Sequence, residues 1–162
     1  MYPDDTIPGI HRYQGYRKAL EAHGIAYDSA LDKSMKIRNW YEAQRAYVAM
    51  QELIALGDRR PSAIFCFNDD FVLRALPAIR EAGLNVPDDV SLIGYDDTDF
   101  AALPEIQLTS VIHPKYQMGK WAAEMLFDQL EHNGPRIPRQ SIISPTLAIR
   151  NSVKRLNTPQ EQ

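Results

Sequence analysis

The chain has 162 residues, 44% of them apolar and 24% charged, with a net charge of −3. That is enough apolar material for one core of ordinary size or two small lobes, and too much for a disordered chain. The acidic balance, with no basic stripe, argues against this chain binding DNA or RNA by itself, and no run approaches the roughly 18 apolar residues of a membrane span.

Residues 11–24, HRYQGYRKALEAHG, carry Tyr13, Tyr16, Ala19, Leu20 and His23 at helical spacing, with Gly24 as a stop. Gly15 inside this helix costs about 1 kcal/mol against Ala, which suggests close backbone packing there. A short strand is expected near Met35–Ile37, followed by a turn at Arg38–Trp40. Residues 41–56, YEAQRAYVAMQELIAL, predict the clearest early helix, with Ala43, Ala46, Tyr47, Met50, Leu53 and Ile54 on one stripe and Gly57 at its end. Ala63–Phe67, AIFCF, is an unbroken apolar run of strand length, suited to a parallel strand covered on both faces.

Asn68, Asp69 and Asp70 follow directly. Asn and Asp favour N-cap positions and acids suit a first helical turn. The helix they open runs to about Ala82, with Val72, Ala75, Leu76 and Ile79 as its stripe and Phe71 and Leu73 beside it. Pro77 is awkward inside it, because it removes one hydrogen bond. Val90–Tyr95, VSLIGY, predicts a second buried strand ending at Asp96–Asp97. Residues 41–97 therefore alternate helix and strand, the pattern of a βαβ fold with a parallel sheet.

Beyond it, Pro104 and Pro114 bound a short extended piece, LTSVIH. Residues 116–133 predict an amphipathic helix with Met118, Trp121, Ala122, Met125 and Leu126 on one face. SIISPTLAI reads as a last strand, placed at an edge by Pro145. The end, RLNTPQEQ, is polar and expected to fray.

Two polar clusters, Asn68–Asp70 and Asp96–Asp97, stand at the carboxyl ends of the predicted parallel strands. Ligands of open α/β sheets bind in the crevice outside those ends. Asn offers a donor and an acceptor and Asp accepts two hydroxyl protons, which suits a neutral polyhydroxylated ligand such as a sugar. The alternative is that these residues only cap a helix and shape a turn. Trp40 either covers core or stacks on a sugar or base. Arg12 reads as a surface charge and His113 as structural.

Catalysis has little support. The chain has no glycine-rich phosphate loop and no GxSxG elbow. Cys66 lies within an apolar strand, where its reactivity is low. As the chain's one cysteine it can form no internal disulfide, and it leaves no cysteine cluster for zinc. The opening Met-Tyr-Pro-Asp-Asp has no secretory pattern. These features fit a reducing cytoplasm, with no metal or cofactor expected.

In this order, HRYQGYRKALEAHGI, RPSAIFCFNDD, EAGLNVPDDVSLIGYDDTDF and LTSVIHPKYQMGKWAAEMLFDQL resemble the effector-binding domain of lactose-repressor/galactose-repressor (LacI/GalR) family regulators, over about residues 3–153. The resemblance implies an α/β fold, with a parallel sheet flanked by helices, like the C-terminal lobe of a type I periplasmic-binding-protein-like fold. Residues 1–112 and 136–153 would form that lobe without its first strand. Residues 113–135 would be a hinge crossover and a helix belonging to the other lobe, and 154–162 a disordered tail. The DNA-binding head and nearly all of the first lobe would lie outside this chain.

The resemblance further implies a non-enzymatic sensor of a small effector, mostly sugars and sometimes purines in the family, that acts on DNA through the missing head. It places Arg12, Asn68, Asp96 and, as the stacking aromatic, Trp40 on the ligand. His113 stands where the family often has Gln. A homodimer would form through the helix after Asn68 and the loop after Asp97, around Phe71, Leu73, Phe100 and Leu103. The alternative is a fragment of a periplasmic sugar-binding protein that serves a transporter. The fold is common to both; the segment HPKYQMGKWAAEML resembles the regulators.

Overall fold

The computed structural model describes residues 2–3, 6–35, 44–131 and 138–155. In chain order these form β1 (Tyr2–Pro3), α1 (Ile7–Ala22), β2 (Ser34–Met35), α2 (Arg45–Ile54), β3 (Ala63–Phe65), α3 (Asp69–Glu81), β4 (Ser91–Tyr95), β5 (Thr109–Ile112), α4 (Lys115–Glu131) and β6 (Thr146–Ala148). The α/β class expected from the sequence is the one observed.

The main sheet has the order β3-β4-β5-β6. β3 pairs parallel with β4, Ile64 opposite Leu92, and β4 pairs parallel with β5, Gly94 opposite Ser110. β6 closes the far edge antiparallel to β5, where Pro145 had placed it. β1 and β2 form a separate parallel pair. β3 is thus a neighbour of β4, as expected, but stands at the end of the four-stranded ladder.

The core lies between the sheet and the α2–α3 pair. Met50 and Leu53 of α2, Val72, Ala75 and Ile79 of α3, Ile64, Cys66, Leu92 and Leu108 are all almost fully buried together. The second face of β3 departs from the expectation of cover on both sides: Ala63 is exposed and Phe65 half-buried. Burial pushes the Cys66 thiol up to about 11. The charged thiolate is penalised in an apolar site.

α3 begins where Asn68 accepts a hydrogen bond from Phe71 N–H at 3.1 Å, and it runs through Pro77 to Glu81. Phe71 is itself core, 3% exposed, with its ring edge-on to Phe67 at 5.6 Å. The expectation of a dimer contact at Phe71 is therefore corrected. Phe71 lies four residues before Ala75 and on the same face, so it continues the buried stripe, whereas Leu73 points away and is exposed. The loop after β4 divides likewise. Ala101 is buried in a short 3-10 turn, Phe100 and Ile106 pack against the core, and Leu103 is exposed.

Asp69 is fully buried, and its carboxylate binds three donors. Oδ2 accepts from Thr98 N at 2.8 Å and Thr98 Oγ1 at 3.0 Å, and Oδ1 accepts from Ser110 Oγ at 2.6 Å. The carboxylate thus joins the start of α3 to the end of β4 and the middle of β5. Gly94 makes room for it. A Cβ at Gly94 would overlap Asp69 Oδ1 and stand 2.9 Å from Leu108 Cδ2.

Two elements differ from their sequence reading. α1 starts at Ile7, four residues before the predicted span, because Thr6 caps it through Gly9 N–H and Pro8 suits a first turn. Gly15 has open space around it rather than close packing. Lys154, read as the first residue of a frayed tail, is instead anchored: its N–H donates to Ser91 Oγ at 3.2 Å and its ammonium to Asp88 O. Ser152 Oγ bridges Leu92 O and Thr109 N within the sheet.

Gly94→Ala should lower the unfolding free energy by about 3 kcal/mol, the upper end for overpacking, because the added methyl also displaces the Asp69 carboxylate; urea unfolding of both proteins measures it. Cys66 should resist alkylation by iodoacetamide in the native chain at mild alkaline pH and react once the chain is unfolded in guanidinium, as a mass-spectrometric time course would record.

Candidate functional site

The carboxyl ends of β3 and β4 open onto one polar cluster. Arg12 reaches it from α1. Its guanidinium lies between two rings, 4.3 Å from the centroid of Phe67 and 3.6 Å from that of Tyr95. Arg12 Nη1 donates to Phe67 O, and Nη2 lies 3.9 Å from Asp96 Oδ1. Burial pulls the Arg12 pKa down and Asp96 opposes that shift; a guanidinium stays charged in either case.

Asp96 follows the last residue of β4. Its N–H donates to Val111 O at 2.9 Å, which ties it to β5. His113 Nδ1 stands 3.5 Å from the same Asp96 oxygen, Oδ1. The His113 ring also meets Tyr95 edge-on at 6.2 Å. Lys115 Nζ donates to Asp96 O at 3.2 Å. Asp96 and Asp97 both have positive φ, 102° and 46°, a conformation that costs a non-glycine residue of order 1–3 kcal/mol.

Asn68 sits at the end of β3, half-buried. Its Oδ1 accepts the helix-cap hydrogen bond, and its amide NH2 is the donor it can offer a ligand. Arg12 and Asp96 are thus in direct charge contact, His113 adjoins Asp96, and Asn68 follows the Phe67 whose carbonyl holds Arg12. From the residues alone Arg12 reads as a surface charge and His113 as structural; the family resemblance is what groups Arg12, Trp40, Asn68 and Asp96. Trp40 lies outside the described residues. The reading missed Phe67 and Tyr95, which hold Arg12, and Lys115. Their position directly before Asn68 and Asp96 was the available signal for the two rings.

A cavity of about 90 Å³ lies beside this cluster, between α1 and β3, lined by Arg12, Tyr13, Tyr16, Leu31, Phe65 and Phe67 among others. It shares Arg12 and Phe67 with the cluster but is not lined by Asn68, Asp96 or His113. Among the described residues no group of three His, Cys, Asp or Glu side chains could hold a metal ion.

Parallel strands that present a cation and a carboxylate at their carboxyl ends are common to many α/β binding proteins. A family profile decides among them: the periplasmic binding protein-like domain matches residues 2–153. The chain belongs to this family. Among curated relatives of this periplasmic binding protein-like chain, the arabinose metabolism transcriptional repressor of Geobacillus stearothermophilus is 34% identical over 158 residues, covering 96% of the chain and 43% of the relative. The HTH-type transcriptional repressor PurR of Photobacterium profundum is 37% identical, covering 90% and 42%. The chain spans less than half the length of these relatives.

Solved structures agree. A transcriptional regulator CelR–cellobiose complex superposes with a TM-score of 0.79 at 33% identity, over 93% of the chain and 44% of the regulator. A sugar-binding LacI-family regulator from Escherichia coli, complexed with phosphate, gives 0.78 at 31%, over 93% and 51%. The resemblance to LacI-type effector-binding domains is therefore borne out. No helix among the described residues is long and apolar enough to cross a membrane.

Asn68→Ala should cost about 1 kcal/mol of stability through the lost N-cap, read by urea unfolding. Asn68→Asp, which keeps the capping oxygen and removes the amide donors, should leave stability within about 0.5 kcal/mol.

Proposed function

We propose that this chain is the ligand-sensing and dimerisation part of a LacI/GalR-type transcriptional regulator, that its effector is a small carbohydrate, and that occupancy changes the DNA affinity of a DNA-binding domain outside this chain. The observation that carries this reading is the convergence of Arg12, Asp96, His113 and Asn68 at the carboxyl ends of β3 and β4. Asp96 accepts from sugar hydroxyls, and Arg12 and the Asn68 amide donate to ring or hydroxyl oxygens. Trp40 is assigned to the stacking face of the sugar. The chemistry is binding, without covalent steps, metal or cofactor, and the protein acts in the cytoplasm.

In this reading residues 1–112 and 136–153 form one lobe, 113–135 the crossover and a helix of the facing lobe. Two features support the division. Residues 150–154 are woven into the sheet, whereas no residue of α4 is buried. Effector held between the lobes favours one arrangement of the dimer over another, and the equilibrium shift alters operator binding by the difference in effector affinity for the two states. The relatives are transcriptional repressors rather than transport proteins, which favours the regulator over the periplasmic carrier.

The dimer surface is assigned to Leu73 of α3 and Leu103 of the following loop, both exposed, with Phe100 behind them. Light scattering should show the full-length regulator as a dimer, and Leu73→Glu with Leu103→Glu should give monomer; a doubly substituted protein that stays dimeric would place the contact elsewhere.

A thermal-shift panel of mono- and disaccharides on the full-length regulator tests the effector class. At least one carbohydrate should raise the melting temperature, and Asp96→Ala should weaken its binding by about 1–3 kcal/mol through lost charge-assisted hydrogen bonds. No response to any carbohydrate, with a response to nucleobases instead, would overturn it.

A further inference from the structure

The Asp96–Asp97 turn is strained at two successive residues, yet no glycine relieves it. Its backbone is held from β5: Asp96 N–H donates to Val111 O and Asp97 N–H to Ser110 Oγ at 3.2 Å. Its Asp97 side chain is held from another part of the chain. Arg150 Nη1 lies 2.7 Å from Asp97 Oδ1 and donates to Leu108 O at 2.7 Å. Both side chains are about four-fifths buried. Asp97 Oδ1 is shut off from solvent, and Arg150 supplies its counter-charge.

Arg150 is itself fixed. Its N–H donates to Thr109 Oγ1 at 2.9 Å, and that hydroxyl donates back to Arg150 O at 3.1 Å. It lies two residues beyond β6, where the chain returns from the α4 excursion. The chain leaves on that excursion at His113 and Lys115, which contact Asp96. Both crossings of the excursion therefore grip the same two-residue turn, one at Asp96 and one at Asp97.

We infer that Arg150 is a positioning residue for the effector site: by pairing with Asp97 on the return crossing, it holds the strained turn that aims the Asp96 carboxylate toward Arg12 and His113. Removing a partner from a buried ion pair leaves an uncompensated charge, and a turn at positive φ then has a conformational reason to relax. The role deepens the reading of Asp96 as an effector ligand and rests on it. The clamp itself can be tested without ligand.

The experiment is amide hydrogen exchange by NMR on this chain, wild type against Arg150→Met, Arg150→Lys and Asp97→Asn. In Arg150→Met the Asp96 and Asp97 amides should exchange about tenfold faster, with Ala75 and Ile79 of α3 within about twofold of wild type. Arg150→Lys, which keeps the counter-charge, should restore most of the protection. Asp97→Asn should reproduce the local loss, and the double variant Arg150→Met/Asp97→Asn should lose no more than either single one, since each removes the same pair. Unchanged exchange at Asp96 and Asp97, an equal rise throughout α3, or additive effects would each overturn the clamp. If Arg150→Met does not fold, Asp97→Asn decides by the same local readout. A clamp that holds, together with a carbohydrate panel that gives no response, would instead count against Asp96 as an effector ligand.

Discussion

One buried carboxylate ties the fold together at the ends of its strands. Asp69 sits in the first turn of α3, fully enclosed, with donors from Thr98 and Ser110 on its two oxygens. Taking a carboxylate out of water costs several kcal/mol, and it is tolerated only where hydrogen bonds and positive potential compensate. Here the compensation is three donors and the positive end of α3. The geometry this demands is narrow. β4 must carry a glycine at position 94, β5 must present Ser110, and the chain must turn sharply after Tyr95 so that Thr98 reaches back. The start of α3 and the loop after β4 are thereby tied to β5, and the groups just beyond β3 and β4 are set at one edge.

The site inherits that edge. Asn68 precedes Asp69 directly and Asp96 follows β4 directly, so the strand-end polar groups stand next to the elements that Asp69 anchors. Arg12 adds the third part. α1 buries only Gly9 among its residues, and Arg12 joins it to the sheet through Phe67 O, two aromatic faces and Asp96. A cation between aromatic rings gains most when it is desolvated, which is the situation here. The guanidinium proposed to serve a ligand therefore also helps to seat a helix through the same contacts.

Much of this was legible in the residues. The runs AIFCF and VSLIGY marked two parallel neighbours because buried strands need no alternation. Asn-Asp-Asp marked a helix start because the first N–H groups need acceptors. What stayed hidden depends on distance in the sequence. Nothing local distinguishes Asp69, buried among partners 29 and 41 positions away, from its neighbour Asp70, which is half-buried and paired with Arg74. Phe71 looked like a flank of its stripe, although its four-residue spacing from Ala75 places it on the buried face. The stripe of α4 was visible as amphipathic, yet among the described residues none of it is buried. Arg150 carried no motif, and its meaning came from the return of the chain to β5.

The account holds that effector is bound by the groups at the ends of β3 and β4. The most direct measurement is a crystal structure of the full-length regulator grown with a carbohydrate that stabilises it. The account predicts the sugar in the crevice between the lobes, with hydroxyls on Asp96 and Asn68 and an oxygen on Arg12. A sugar bound elsewhere, touching none of these three side chains, would contradict it.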